Sequence, residues 1–148
     1  MTVTANSVIT AQAPYAVNVS LAAVTACTTR APTATASLAA ANIIAFVPTS
    51  TNGCRIDTVS FKGCSTSFTA ATAVQTITIW EWDGTNAYPL KEVITTLVTP
   101  STTVGSYDSG DIPINKVLPA SHALYVSTSI TTTAATTALC GTAIGALL

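Results

Sequence analysis

The sequence predicts an all-β fold: a single-domain β-sandwich or jelly roll of about eight strands, with an extended N-terminal arm over residues 1–16 and the sandwich domain over residues 17–148. Three observations predict it. Residues 74–82 are rich in β-branched and aromatic side chains, pass through Asp83-Gly84-Thr85-Asn86, and regain extended character from Ala87 onward. Asp-Gly and Asn supply or tolerate the positive φ of a tight reversal, so residues 74–93 read as a β-hairpin. Other short β-branched runs recur at fairly regular spacing with turn signals between them, the pattern of a sandwich. Finally, no helical period persists over a useful length, and no longer repeat interrupts the pattern.

Taken in order, residues 1–16 have weak periodicity and read either as a frayed tail or as an arm that orders against a neighbour. Residues 17–24 alternate, with Val17, Val19, Leu21 and Ala23 on one face, and predict a half-buried strand. Residues 28–41 suit a loop with a weak strand near 33–38 and at most a turn of helix at 38–41. The apolar run 43–47, bounded by Asn42 and Pro48, predicts a strand buried on both faces. In residues 54–62 the apolar parity switches between Ile56 and the pair Val59 and Phe61, which predicts a bulge near Asp57-Thr58.

The hairpin then places Ile77 and Ile79 on one face and Trp80 and Trp82 on the other. Its second strand is expected over 88–98, with Pro89 marking a start or an edge. Residues 99–111 form a long irregular loop of the kind that carries function. Strands are expected at 112–118 and at 123–130, where Leu124, Val126 and Ile130 face inward, with a turn at 119–122 between them. A last strand is expected near 136–144, and the apolar Leu147 and Leu148 are expected to dock rather than hang free.

At 148 residues the chain can bury a sizeable core without a metal or a disulfide. Charged residues make up only 7%, against about 25% in ordinary soluble domains, while threonine accounts for about a fifth of the chain. Charge normally keeps copies of a protein apart. Its scarcity predicts a surface covered by further copies or by partners. Five Lys and Arg without a cluster argue against nucleic acid as a partner, and no apolar run is long enough for a membrane helix. The first residues lack the charged and apolar regions of a secretory signal, so synthesis in the cytoplasm is expected.

Catalytic and metal-binding patterns are sparse. His122 is the only histidine and stands in a Pro-Ala-Ser-His turn, with no Gly-x-Ser-x-Gly elbow in the chain. Asp108 and Asp111 lack the spacing of a calcium loop, and Glu81 and Asp83 share one strand end instead of facing each other across a cleft. No enzyme activity and no cofactor are expected. Cys27, Cys54, Cys64 and Cys140 form no Cys-x-x-Cys pair. They are expected as buried thiols, with two disulfides in any of three connectivities as the alternative. Trp80 and Trp82 are expected to be buried in the core or within an oligomer, with an exposed protein contact or sugar stacking as the alternatives, and with Tyr88 they are the candidate interface aromatics.

Several segments resemble the small virion proteins of tailed bacteriophages, encoded beside the major capsid protein. They are the opening Thr-Ala-Asn-Ser-Val-Ile-Thr at 4–10 leading to Pro14, the strand entry Asn52-Gly53-Cys54-Arg55-Ile56, the Ile-Thr-Ile-Trp-Glu-Trp-Asp-Gly hairpin at 77–84, and Leu118-Pro119 through Leu124-Tyr125-Val126. The likeness covers most of the chain and rests on scaffold features. Ala120-Ser121-His122 stand where the family usually has a glycine before the Leu-Tyr-Val strand.

The resemblance implies a head decoration (cement) protein on the capsid surface of the virion. Its partners would be the major capsid protein and further copies of itself, as a homotrimer. The arm residues Thr2, Val3, Thr4, Ala5, Asn6, Val8, Ile9 and Pro14 would be the tether. Many modest contacts would then sum to a multivalent lock. The alternative is a receptor- or carbohydrate-binding head-fibre or tail accessory module. A secreted lectin-like or adhesin domain is a further rival.

Overall fold

The computed structural model describes residues 13–27, 33–34, 43–67 and 70–148. The strands are β1 (Ala13–Ser20), β2 (Thr33–Ala34), β3 (Ile44–Val47), β4 (Cys54–Gly63), β5 (Thr76–Trp82), β6 (Asn86–Ile94), β7 (Ile112–Leu118), β8 (Ala123–Thr128) and β9 (Leu139–Leu147). They make two antiparallel sheets, one of order β1-β9-β4-β7 and one of order β2-β6-β5-β8-β3. Among the described residues there is no helix. With the two-residue β2 set aside, eight strands remain, and their pairings nest. β5 pairs with β6, β4 with β7, β3 with β8 and β1 with β9. The β5–β6 hairpin is the innermost pair, and each further pair encloses it in sequence.

The core lies between the sheets. Ile56, Val59, Phe61 and Ala143 of the four-stranded sheet meet Phe46, Ile77, Ile79, Leu124 and Val126 of the five-stranded one in one buried cluster. Phe46 and Phe61 pack across it with ring centroids 5.8 Å apart. Full burial of an aromatic or aliphatic side chain contributes about 2–3 kcal/mol, so this cluster is the main stabilising element.

The predicted bulge in β4 is present. Register shifts between Ile56 and Thr58, leaving Asp57 over, and this returns Val59 and Phe61 to the face that Ile56 occupies. The hairpin reversal is held by Asp83, whose Oδ1 accepts from Thr85 N (2.9 Å) and Asn86 N (2.7 Å), while Gly84 takes φ 100°. Those two N–H groups hold the Asp83 carboxyl below its usual range. In β6, Pro89 faces Trp80 and Lys91 faces Ile79, so Leu90 is the extra residue of a bulge. Among the described residues β2 covers only Asn86 and Ala87 of β6, and Pro89 has no strand on that side, where a missing N–H costs no ladder bond.

Several boundaries differ from expectation. β1 begins at Ala13, so Pro14 belongs to the sheet, facing Ala146, and is not part of an arm. Thr2, Val3, Thr4, Ala5, Asn6, Val8 and Ile9 lie outside the described residues, as does the expected helical turn at 38–41. The alternation in β1 holds as far as Leu21. Beyond it Ala23 is exposed while Val24 is buried, because residues 21–27 cross between the sheets. Leu21 N donates to Leu139 O at one end of this crossing and Cys27 N to Thr128 O at the other.

β3 is an edge strand with Ala45 exposed, so it is not buried on both faces. A wholly apolar run of four residues carries no parity signal to reveal this. β6 ends at Ile94 and β8 at Thr128. Residues 133–137 close a turn through Thr137 N to Thr133 O (3.1 Å), which delays β9 to Leu139. The thiol expectation is also corrected. Cys64 and Cys140 form a disulfide with Cα atoms 5.8 Å apart, and the expectation of a buried thiol holds for Cys27 and Cys54. Cys64 follows Gly63 at the end of β4, whose register partner Leu139 precedes Cys140, so the ladder itself brings the sulfurs together.

Candidate functional site

The hairpin tip carries most of the charge expected to matter. Ile77, Ile79 and Glu81 share the inward parity of β5, and Glu81 sits at its rim. Its Oε2 meets Lys116 Nζ of the opposite sheet at 2.5 Å, and its Oε1 meets His122 Nδ1 at 3.2 Å. His122 is placed by the turn after β7, where its N–H donates to Pro119 O (3.1 Å) and Ser121 adopts φ 69°. Nearby, Lys91 Nζ donates to Pro113 O at 3.2 Å, again from one sheet to the other. These contacts latch the β6–β7 side of the sandwich. In a hydrolytic triad the carboxylate orients the histidine toward a nucleophile. Here Glu81 is shared with Lys116, and the set works as an inter-sheet ion pair.

Asp108, which lacks the sequence spacing of a calcium loop, is engaged within the chain. It pairs with Lys62 at 3.0 Å and accepts from Gly110 N at 2.9 Å, and these contacts hold its carboxyl below the usual range. Among the described residues no group of three His, Cys, Asp or Glu is placed to hold a metal.

The aromatics do not form a platform. Trp80 is fully buried within the chain beside Cys27, Ile43, Ala87 and Tyr125, and its Nε1 donates to Ser127 Oγ at 2.8 Å. Its place among the interface aromatics is therefore corrected: the outer face of β5 is covered at this point. Trp82 is half-buried, sets its ring edge-on to Tyr125 at 6.0 Å, and keeps a buried Nε1 without a partner. Tyr88 alone of the three is exposed, at 42%.

The loop at 99–111 borders a groove of about 370 Å³ with Ser65, Ser67, Thr72, Ser101 and Thr136 among its lining. Among the described residues its lining offers hydroxyls and no charged or aromatic side chain. These hydroxyls can hydrogen-bond a neutral polar ligand.

Among the described residues the outer face of the four-stranded sheet presents exposed apolar side chains. Register sets side chains in rows across it. One row is Pro14, Ala146, Arg55 and Val117; the next is Ala16, Ile144, Thr58 and Pro113; a third is Asn18, Thr142 and Ser60. Val117 is 54% and Ile144 48% exposed. The charges within these rows cancel locally, because Arg55 is paired with the bulged Asp57 at 2.7 Å. The bulge thus serves the core and neutralises the face. Sequence reasoning missed this surface because Ile144 and Ala143 lie on opposite faces, which only the register reveals. It also missed the Glu81–Lys116 pair, whose partners are far apart in the chain. No protein-family model, curated protein or solved structure matches the chain.

Proposed function

We propose that the chain is a decoration (cement) protein of a bacteriophage head, which docks on the capsid surface and ties neighbouring capsomers together as an oligomer. The observation that carries this reading is the outer face of the four-stranded sheet: exposed and apolar at Pro14, Ala16, Pro113, Val117 and Ile144, and neutral where Arg55 meets Asp57. Scattered apolar residues are ordinary, but a contiguous apolar patch marks a contact surface. The nested pairing of eight strands supports a jelly roll, since a long hairpin rolled into two sheets gives that order. Jelly rolls build virion proteins and lectins alike. The fold therefore adds only an analogy, and the face carries the reading.

Co-sedimentation with expanded empty heads, built from the major capsid protein encoded alongside this chain, tests the reading. The protein should pellet with heads, and Val117→Lys with Ile144→Lys should abolish pelleting while the circular dichroism of the β-domain is unchanged. Deleting residues 2–12 should also abolish pelleting if the arm is the tether. Failure of the unaltered protein to bind overturns the proposal.

The second reading, a carbohydrate-binding accessory module, rests on the hydroxyl-lined groove beside the 99–111 loop. A glycan-array signal lost on Ser101→Trp would favour it.

A further inference from the structure

The two sheets have four outer edges, and three of them are blunted against further pairing. β7 contains Pro113, a positive φ at Asn115 and a register irregularity against β4. β6 contains Pro89 and a bulge, is capped over Asn86 and Ala87 by β2, and carries Lys91 and Glu92. β3 is four residues long and irregular between Ala45 and Val47. Proline, bulges, charge and brevity are the means by which natural sheets prevent edge-to-edge association.

β1 has almost none of these. Its eight residues pair with β9 in unbroken register from Ala13 to Ser20, with no charged side chain and one proline near its start. Among the described residues it has no neighbour on its other side. Its core-facing side chains Tyr15, Val17 and Val19 are only half-buried, whereas Ile56, Val59 and Phe61 in the interior strand β4 are fully covered. On the β6–β7 side of the sandwich the gap is crossed by Lys91 and Lys116.

We infer that β1 is a self-association edge, which pairs antiparallel with β1 of a second copy to join the two four-stranded sheets into one. A second copy is the fitting occupant because a two-fold axis sets a strand against itself, and any charge would then face its own kind or a fixed neighbour. APYAVNVS carries none. Pairing must also keep core-facing residues opposite core-facing residues, since a one-residue slip sends every side chain to the wrong face. The register with Val17 on the axis meets this condition. It sets Tyr15 against Val19 of the partner subunit, an aromatic and β-branched pair, and Ala16 against Asn18 of the partner subunit. It covers the half-open end of the core and extends the Pro14 and Ala16 rows into a continuous, doubled outer face.

Sedimentation equilibrium of the full chain, without heads, tests this inference separately from capsid binding. The expected mass is twice the 15.0 kDa chain, or six copies if a threefold contact is superposed on the two-fold seam. A monomer or a simple trimer overturns it. Ala16→Lys places a charge on the seam and should leave only monomers (or trimers, where the threefold contact is present) with an unchanged β-sheet spectrum; an unchanged mass overturns the inference. Val17→Cys should form a covalent dimer under mild oxidation and Ala16→Cys should not; the reverse overturns the register. Val117→Lys with Ile144→Lys should keep the two-fold mass while losing head binding.

Discussion

The indole N–H of Trp80 donates to the Ser127 hydroxyl at 2.8 Å, one diagonal step across the β5–β8 ladder, on the side of the sheet away from the main core. Trp82, two residues on and on the same side, has a buried indole nitrogen with no partner. The two tryptophans of one strand therefore differ in how well their polar atoms are satisfied. Trp80→Phe should cost about 2–3 kcal/mol, from lost volume and an abandoned Ser127 hydroxyl. Trp82→Phe should cost about 1 kcal/mol or less, because it also removes an unsatisfied donor. Urea denaturation of the two variants gives the comparison, and equal losses would contradict it.

The Glu81–Lys116 pair joins the sheets at a partly exposed rim. Its carboxylate is 16% exposed and the lysine 36%. Solvent screening limits such a pair to about 1 kcal/mol. A double-mutant cycle with Glu81→Gln and Lys116→Met should return a coupling near that value, reduced in high salt. A coupling of zero would mean that the ladder alone aligns the sheets.

Gly145 faces Ile56 across the β4–β9 ladder, and a Cβ there would fall on the Arg55 carbonyl oxygen. Backbone cannot yield as a flexible side chain would. Gly145→Ala should therefore destabilise by roughly 3 kcal/mol or more, through steric overlap beside the Asp57 bulge. Gly84→Ala, with open space around its Cβ but φ 100°, should cost less, about 1–2 kcal/mol of backbone strain. Thermal melts rank the two variants.

Thiol titration in denaturant without reductant should count two cysteines, Cys27 and Cys54, and four after reduction. The Cys64–Cys140 crosslink spans 76 residues of sequence. Chain-entropy estimates for a loop of that size give about 4 kcal/mol. Cys64→Ser with Cys140→Ser should lower the urea midpoint accordingly, and an unchanged midpoint would show that the closed ladder needs no crosslink.

Burial raises the pKa of the Cys54 thiol and of the Tyr15 and Tyr107 phenols. For both tyrosines a neighbouring negative group adds to the effect: Cys54 for Tyr15 and Asp108 for Tyr107. The unfolded chain releases these protons at ordinary values, about 8.5 for cysteine and 10 for tyrosine. The folded chain holds them longer, so it binds more protons than the unfolded one over that window. Stability is therefore fully present below about pH 8.5 and declines as pH rises through the folded values. Urea midpoints measured from pH 7 to 11 should be flat first and then fall; a rise would reverse the assignment.

Much of the fold was legible because parity and turn chemistry are local. The switch from Ile56 to Val59 marked the Asp57 bulge, and Asp83-Gly84 marked the hairpin. The edge position of β3 was not legible, since Ile44-Ala45-Phe46-Val47 offers no alternation to read. Nor was the disulfide, which depends on β4 and β9 being neighbours. The open sheet face and the rim ion pair were hidden for the same reason: each unites residues whose separation in the chain exceeds any local pattern. Trp80 and Trp82 were correctly placed on one face, but Trp80's full cover comes in part from Cys27 and Ile43, beyond the reach of hairpin geometry.

The nested pairing has a consequence for how the molecule is made. β5 and β6 can associate as soon as both have left the ribosome, since only a short turn separates them. β1, the earliest described strand to emerge, must wait for β9, its partner from Ala13↔Leu147 to Ser20↔Cys140. Long-range β pairing of this kind is slow and leaves intermediates with open edges. The four-stranded sheet, with its β1–β9 ladder, is thus completed last, from the inside of the sequence outward. Until β9 has emerged the outer face of this sheet does not exist, so the proposed docking face would form only once β9 has been made.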